Sequence, residues 1–213
     1  MATFGDIQTA VSKRLLDANN VAVSLPDVAL AINDTINYWK YRRFSFNETV
    51  DTSTFTAQSA TIPLPSDFLV PFTDDGGFQI EYGQTRYPLK KRTAQEYNYL
   101  YQNNGYGLPW AYARIGQTFQ AYPIPDQNYV VIRDYLKDYP ALVNASDTND
   151  FTNNASRLLT LWTCANLIGE LRQDEKMETY YRAGAWDEYR NMDVLSDKNN
   201  GSGKLTISSV LMS

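Results

Sequence analysis

Apolar residues at helical spacing occupy both ends of the chain. Near the amino terminus they recur every three or four positions, first as Phe4, Ile7, Val11 and Leu15, and then as Val28, Ile32, Ile36 and Trp39. The first set follows Thr3 and Asp6, a pair that resembles a capping box. The second follows Ser24-Leu25-Pro26-Asp27, a helix start with proline just inside it. The pattern predicts two amphipathic helices, the second ending near Arg42.

The same period returns near the carboxyl terminus. One stripe consists of Leu158, Leu161 or Trp162, Ala165, Ile168 and Leu171. Asp174 then begins a second helix, whose apolar face consists of Met177, Tyr181, Ala185, Tyr189 and Met192. Because only Arg172 and Gln173 separate the two stripes, we expect these helices to be antiparallel neighbours.

The middle of the chain has the alternation that is typical of strands. The strand-like segments are residues 61–65, 78–82, 86–89, 111–115, 118–122 and 129–135. The two-residue gap Gly116-Gln117 is a hairpin signal. Within this region Thr93 and Glu96 form a capping box that begins a short helix, with Tyr97, Leu100 and Tyr101 on one side.

This order of elements predicts an α+β protein in which terminal helices form a bundle and an antiparallel β-subdomain is inserted between them. We expect the amino-terminal helices of the bundle in residues 1–43 and the β-rich subdomain with its short helix in residues 44–143. A helical hairpin in residues 144–198 completes the bundle, and a linker with an extended tail follows in residues 199–213.

The last fifteen residues suggest a docking segment. Asn199-Asn200-Gly201-Ser202-Gly203 has the composition of a flexible linker. In the segment Lys204–Met212 that follows, Leu205, Ile207 and Val210 approximate strand alternation, and Leu211 adds a further apolar side chain. A disordered terminus explains the same residues equally well.

Composition removes most catalytic chemistry. The chain has no histidine, which excludes Ser-His-Asp and Cys-His sites and imidazole metal ligands. Its single cysteine, Cys164, lies in an apolar run and is expected to be buried and inert. The oxygen-rich loops Asp74–Gly77 and Asp147–Asp150 do not match a calcium-binding loop, and we interpret them as turns. We expect no enzyme activity, no catalytic residue, no metal and no cofactor.

Charge argues against a site that grips nucleic acid. The net charge is −5, and the basic runs Lys40–Arg43 and Lys90–Arg92 are short and lie near the predicted ends of elements. A solvated face or a subunit contact explains them better. No stretch has the length of a membrane span, and the first residues do not resemble a signal peptide, so we expect synthesis in a cytoplasm and no membrane association.

Aromatic residues make up 14 % of the chain, including 16 tyrosines. Tyrosine and tryptophan are enriched at protein interfaces, and they also line sugar-binding clefts. The residues that we select as interface candidates are Trp110, Tyr112, Tyr97 and Tyr101. The alternative function for the same surface is a carbohydrate-binding or tail-fibre-associated module.

Several segments resemble the head-to-tail adaptor proteins of short-tailed bacteriophages. The first is Gly107-Leu108-Pro109-Trp110-Ala111-Tyr112, followed by Ile115-Gly116, by Tyr122-Pro123-Ile124-Pro125-Asp126, and by Tyr129 and Tyr135. Residues 64–69, 149–150 and 155–159 and the helix start at Asp174-Glu175 also fit. The matches cover residues 60 to 195 in the family's order.

The resemblance implies a virion structural protein at the head-tail interface. Such a protein forms a homo-oligomeric ring, usually of twelve copies, that joins the portal protein to the tail nozzle or tail-fibre proteins. It lines the channel through which genomic DNA passes during ejection, without sequence-specific binding. We expect the helical bundle to build the ring and the segment Lys204–Met212 to dock on the portal, for example as an added strand.

Overall fold

The computed structural model describes residues 1–19, 23–71, 75–102 and 105–199. It divides into two compact units, a helical unit formed by residues from Met1–Asn47 and from Pro140 onward, and a β unit formed by Glu48–Tyr139. The mixed α+β class is confirmed. The predicted docking tail, Lys204–Met212, lies outside the described residues, as do Asp74 and the linker after Asn199.

Helices lie at both ends of the described chain, and one short helix interrupts the strands between them. The helices are α1 Phe4–Asn19, α2 Leu25–Trp39, α3 Ala94–Tyr101, α4 Asp150–Asn154, α5 Ser156–Arg172 and α6 Glu175–Asn199. The strands are β1 Glu48–Phe55, β2 Thr61–Pro63, β3 Phe68–Pro71, β4 Asp75–Tyr82, β5 Thr85–Arg92, β6 Tyr106–Gly107, β7 Ala111–Ile115, β8 Thr118–Tyr122, β9 Ile124–Pro125 and β10 Tyr129–Lys137. Helix α3 belongs to the β unit, and the other five belong to the helical unit.

Side-chain caps set the start of the first two helices. The Thr3 amide donates to Asp6 Oδ2 (2.9 Å) and the Asp6 amide donates to Thr3 Oγ1 (3.2 Å), which completes a capping box. Ser24 Oγ accepts a hydrogen bond from the Asp27 amide at α2 (3.3 Å). The predicted apolar faces of both helices are buried.

Helix α2 ends at Trp39 and not near Arg42, because Asn47 holds the next residues in a turn. The fully buried Asn47 amide donates to the carbonyls of Lys40 (3.2 Å) and Arg42 (2.8 Å), and its Oδ1 accepts from the Phe44 amide (2.9 Å). These bonds give partners to carbonyls at the end of the helix that it leaves unpaired.

Helix α5 is buried on nearly all sides, whereas the sequence pattern predicted a single apolar stripe. It contacts α1, α2, α4 and α6, and residues outside the predicted stripe, including Leu159, Thr163 and Cys164, are also buried. Leu171, at the end of the stripe, is 56 % exposed. A helix that is surrounded by others has no polar face to reveal its orientation in the sequence.

Trp39 occupies the centre of an aromatic cluster in the helical unit. Its ring is fully buried and lies 4.9 Å from Trp162, 5.0 Å from Tyr189 and 5.4 Å from Trp186, measured between centroids. Most pairs in the cluster are edge-to-face or tilted, as the ring quadrupole prefers. The cluster joins α2 to α5 and α6.

In the β unit eight strands form one sheet in the order β1-β10-β4-β5-β7-β8-β2, with β3 pairing with the end of β10. The sheet nearly closes on itself, since its edge strands β1 and β2 contact each other. The predicted hairpin at Gly116 is confirmed, and this glycine has φ +62°, a conformation that favours glycine.

The prediction of an entirely antiparallel sheet is wrong at two places. Strands β5 and β7 are parallel, with Lys90 beside Ala111, and the short strands β6 and β9 form a second, parallel pair. The chain between β5 and β7 includes α3, and such a crossover returns the next strand in the same direction. Strands β1 and β3 were also missed by the sequence analysis.

The interior of the β unit is aromatic, and the arginine of an ion pair reaches into it. Phe78 stacks on Tyr112 with a centroid separation of 4.5 Å and meets Phe119 edge-on at 4.4 Å. Between Val131 and Tyr135, both in this core, β10 carries Arg133, which is 5 % exposed. Its guanidinium pairs with Asp51, directly opposite on β1.

Candidate functional site

The short helix α3 is capped by its own side chains, packs on the sheet and carries two of the predicted interface residues. The Thr93 amide donates to Glu96 Oε2 (2.8 Å) and the Glu96 amide donates to Thr93 Oγ1 (3.2 Å). The hydrogen bond from the Thr93 amide, together with that from its hydroxyl, holds the pKa of the Glu96 carboxyl below its usual value. The helix packs on β5, β7 and β8.

The four predicted interface residues divide into a buried pair and an exposed pair. Tyr97 and Tyr112 are each 1 % exposed, whereas Tyr101 and Trp110 are 41 % and 42 % exposed. Tyr97 donates its hydroxyl to the Ala121 carbonyl (3.3 Å), and burial raises the pKa of this tyrosine to about 12. A partner on this surface would contact Trp110 and Tyr101. The buried Tyr97 ring stacks on Tyr101 with a centroid separation of 5.7 Å, whereas Tyr112 stacks on Phe78 in the core.

Trp110 lines an open groove beside α3. The groove has a volume of about 390 Å³ and is lined by Arg92, Gln95, Glu96, Tyr99, Leu100 and Trp110. Backbone bonds fix the tryptophan, since its amide donates to the Tyr122 carbonyl (3.0 Å) and its carbonyl accepts from the Lys90 amide (2.9 Å). The Arg92 guanidinium lies 5.8 Å from the centre of the indole. An exposed indole ring beside charged and amide side chains suits an amphipathic ligand.

The helical unit exposes a second set of apolar side chains that the sequence analysis missed. They are Leu25, Leu30, Tyr38, Tyr41, Leu171 and Tyr180, each more than 45 % exposed. The sequence of α2 contained a signal for this second apolar surface. Leu30 and Tyr38 do not lie on the buried face of the helix, which is formed by Val28, Ile32, Ile36 and Trp39. Exposed apolar groups at such spacing are typical of a helix that meets a partner on its second face.

The side chains considered for catalysis or metal binding are buried or hydrogen-bonded to nearby backbone. Burial raises the pKa of the Cys164 thiol to about 12, which keeps it protonated, as expected of an inert cysteine. Asp147 Oδ2 accepts from the amides of Val143 and Asn144 (both 2.8 Å), and Asn149 caps α4. Within the described ranges, no three His, Cys, Asp or Glu side chains come together as a metal site.

Comparison with known proteins identifies the family. A family model described as SU10 adaptor protein matches residues 2–204, nearly the whole chain. The chain belongs to the SU10 adaptor protein family. A search of curated proteins gave no match.

This adaptor family consists of phage head-tail adaptors, so the resemblance deduced from residues 60 to 195 is confirmed. The protein is an adaptor of the virion, a structural component that interacts with other virion proteins. A structural adaptor role favours a protein without enzyme activity. In the part of the chain that the structure describes, no helix is both long and apolar enough to cross a lipid bilayer.

Proposed function

We propose that this adaptor is the subunit of a ring that joins the portal to the tail nozzle or tail fibres and lines the DNA exit channel. The observation that carries the proposal is the family match over residues 2–204. We place the contacts between neighbouring copies in the helical unit, and we expect twelve copies in the ring. Genomic DNA passes through without sequence-specific binding.

The net charge of −5 supports a channel role for the assembled ring. Like charge discourages DNA from adhering to a wall that it must slide past. We place portal docking in the tail, where Lys204, Leu205, Ile207, Val210 and Leu211 add a strand to an edge on the portal. The preceding Gly/Ser-rich residues give this segment the reach to find its site.

Native mass spectrometry tests the ring and the tail together. The full chain, mixed with the portal protein encoded by the same genome, should give one complex with a single high copy number per portal. Deletion of residues 199–213 should abolish portal binding and leave the far-UV circular dichroism of the described helices and strands unchanged. A truncated chain that still binds the portal as well as the full chain does would refute docking through the tail.

A second candidate function, binding of a carbohydrate, is favoured by the groove at Trp110. Its indole is 42 % exposed and is bordered by Arg92, Gln95 and Glu96, which can hydrogen-bond sugar hydroxyls. A glycan array should then show affinity in the full chain that Trp110→Ala removes. Tyr87→Ala, which changes another exposed aromatic of the same unit outside the groove, is the matched control. An array without any hit would refute carbohydrate binding and leave the adaptor role as the proposed function.

A further inference from the structure

One side of the helical unit carries an apolar surface with acidic margins. Leu30 on α2 and Leu171 at the end of α5 are 63 % and 56 % exposed. They line a shallow groove of about 170 Å³ together with Asp27, Asp34 and Glu170, and its described lining includes no lysine or arginine. All five side chains are exposed and form the rim of this groove, and we call them the acidic ridge. Exposed leucines among carboxylates mark a surface that suits an apolar and basic partner.

A second surface of the same unit has the complementary character. Arg14 of α1, Arg157 and Leu161 of α5, and Tyr180, Gly184 and Asp187 of α6 line a groove of about 510 Å³. The Asp187 carboxylate already pairs with Arg190, at 3.2 Å, so the two arginines give the groove its positive character. The Tyr180 residue is 69 % exposed and the Arg157 side chain is 72 % exposed. We call this surface the basic groove. The glycine contributes no side chain to fill the space, which leaves room for an apolar group from outside.

The two surfaces lie on opposite sides of α5. Arg157 and Leu161 face the basic groove, while Asn166 and Glu170 face the groove of the acidic ridge. Each residue of the second pair follows its counterpart by nine positions, which is about 2.5 turns of an α-helix. A half-turn offset places the pairs on opposite faces, so one copy can use both surfaces at once.

We propose that the acidic ridge of one copy docks into the basic groove of the next copy. The inference rests on the proposed ring function and names the surfaces that build the ring. Two different surfaces of identical subunits make a head-to-tail contact, which continues from copy to copy until the ring closes. In this contact Leu30 packs against Tyr180, and Asp34 and Glu170 approach Arg14 and Arg157.

The ion pair that Arg157 already makes does not oppose this contact. Its Nε lies 3.4 Å from Glu188 Oε2 on α6, and the arginine side chain is largely exposed. An exposed ion pair contributes little free energy. Arg157 can therefore exchange or share its partner when a carboxylate of the next copy arrives, and burial at the contact strengthens the new pair.

A charge-swap experiment tests the contact on both sides. The ridge variant is Asp34→Lys with Glu170→Lys, and the groove variant is Arg14→Glu with Arg157→Glu. Asp27 is retained because its carboxylate accepts a hydrogen bond from the Ser24 hydroxyl (2.5 Å) at the start of α2. On the portal protein of the same genome, each variant alone should form at least about tenfold less ring than the wild type at equal concentration, because like charges meet.

An equimolar mixture of the two variants should restore the ring. The altered ridge of one variant is then complementary to the altered groove of the other, and the unaltered surfaces also match, so copies alternate around the ring. Native mass spectrometry distinguishes this alternation, because the two variants differ in mass and should be present in equal numbers. Glu81→Lys with Arg86→Glu, an exposed pair in the β unit, is the matched control and should assemble as the wild type does.

The possible results separate this inference from the ring function itself. If either variant alone forms rings as the wild type does, the ridge-and-groove contact is wrong, although the ring function stands. If both variants form rings without the portal but fail to bind it, these surfaces contact the portal, which also overturns the inference. If the wild type forms no ring on the portal, both the ring function and the inference fail. If Arg14→Glu unfolds the chain, the same test can be made with two single variants, Asp34→Lys and Arg157→Glu, each alone and then mixed.

Discussion

Removal of the Asp51 carboxylate should destabilise the β unit more than removal of the arginine that it pairs with. Arg133 is 5 % exposed, and in Asp51→Ala its guanidinium keeps the Pro63 carbonyl, at 2.8 Å, as a hydrogen-bond acceptor. Loss of one partner of a fully buried pair costs about 3–5 kcal/mol. Because the Asp51 side chain is 35 % exposed, water can reach the vacated position, and we expect about 2–3 kcal/mol.

The converse change has a smaller cost for the same reason. Arg133→Met places an apolar side chain in the core and leaves Asp51 where water can solvate its carboxylate, so we expect a loss of about 1 kcal/mol. The double variant Asp51→Ala with Arg133→Met has no buried charge at this position. It should therefore be more stable than Asp51→Ala alone, with a coupling free energy of about 1–2 kcal/mol.

Urea unfolding followed by circular dichroism gives the free energies, and hydrogen exchange of peptides from β1 and β10 assigns the change to the β unit. Glu81→Ala is the matched control, because it removes an acid whose ion pair with Arg86 is exposed, and it should change stability by less than about 0.5 kcal/mol. The reasoning would be refuted if Arg133→Met were as destabilising as Asp51→Ala, or if the double variant were the least stable of the three.

Three further predictions concern the helices. Trp39→Ala should lower the free energy of unfolding by about 3–5 kcal/mol, and Trp39→Phe by much less, since the indole nitrogen has no hydrogen-bond partner among the described atoms. Gln173→Gly should raise the melting temperature, with a gain of about 0.5–1 kcal/mol, because Gln173 has φ +52° at the end of α5. Folding lowers the pKa of Glu96, so its carboxylate stabilises the fold fully above pH 4.5, and this stabilisation is lost as the pH falls through the lowered pKa. The variant Glu96→Gln should therefore have a lower melting temperature than the wild type at pH 7, and the difference in melting temperature should become smaller in acid.

Local signals in the sequence predicted helix starts well, because capping depends on residues only three positions apart. The pairs at Thr3 and Asp6, at Ser24 and Asp27, and at Thr93 and Glu96 all cap helices in the structure. Helix ends were less predictable. The end of α2 depends on Asn47, whose side chain reaches back to the carbonyls after Trp39, and nothing in the apolar period of α2 signals that reach.

Long-range pairing hid strand β1 from the sequence analysis. Its inward positions include Thr49, Asp51 and Ser53, which are polar and do not give the alternation of a half-buried strand. The polar position at Asp51 is satisfied by Arg133, which lies 82 residues later in the chain. The parallel pairing of β5 and β7 was hidden for a similar reason, since it depends on the direction in which α3 returns the chain.

The abundance of aromatic residues indicated an interface but could not locate it. Tyr97 and Tyr112 were chosen for an interface and lie in the interior, because a tyrosine buries its ring as readily in a core as in a contact. Trp39 and its neighbours likewise fill the helical unit. Only exposure separates the two uses, and it singles out other residues, among them Leu30 and Tyr180.

The total charge conceals the arrangement that a head-to-tail contact requires. Helix α2 contains two acids, Asp27 and Asp34, and no base, whereas the four residues Lys40–Arg43 that follow it contain three bases. Arg14 and Arg157 lie apart from both segments in the sequence and meet only in the folded unit. A sum of −5 would be the same if these charges were evenly mixed. Because charges attract two copies only where unlike patches meet, the separation of charge, and not its total, determines whether electrostatics favour a head-to-tail contact of this chain with its own copy.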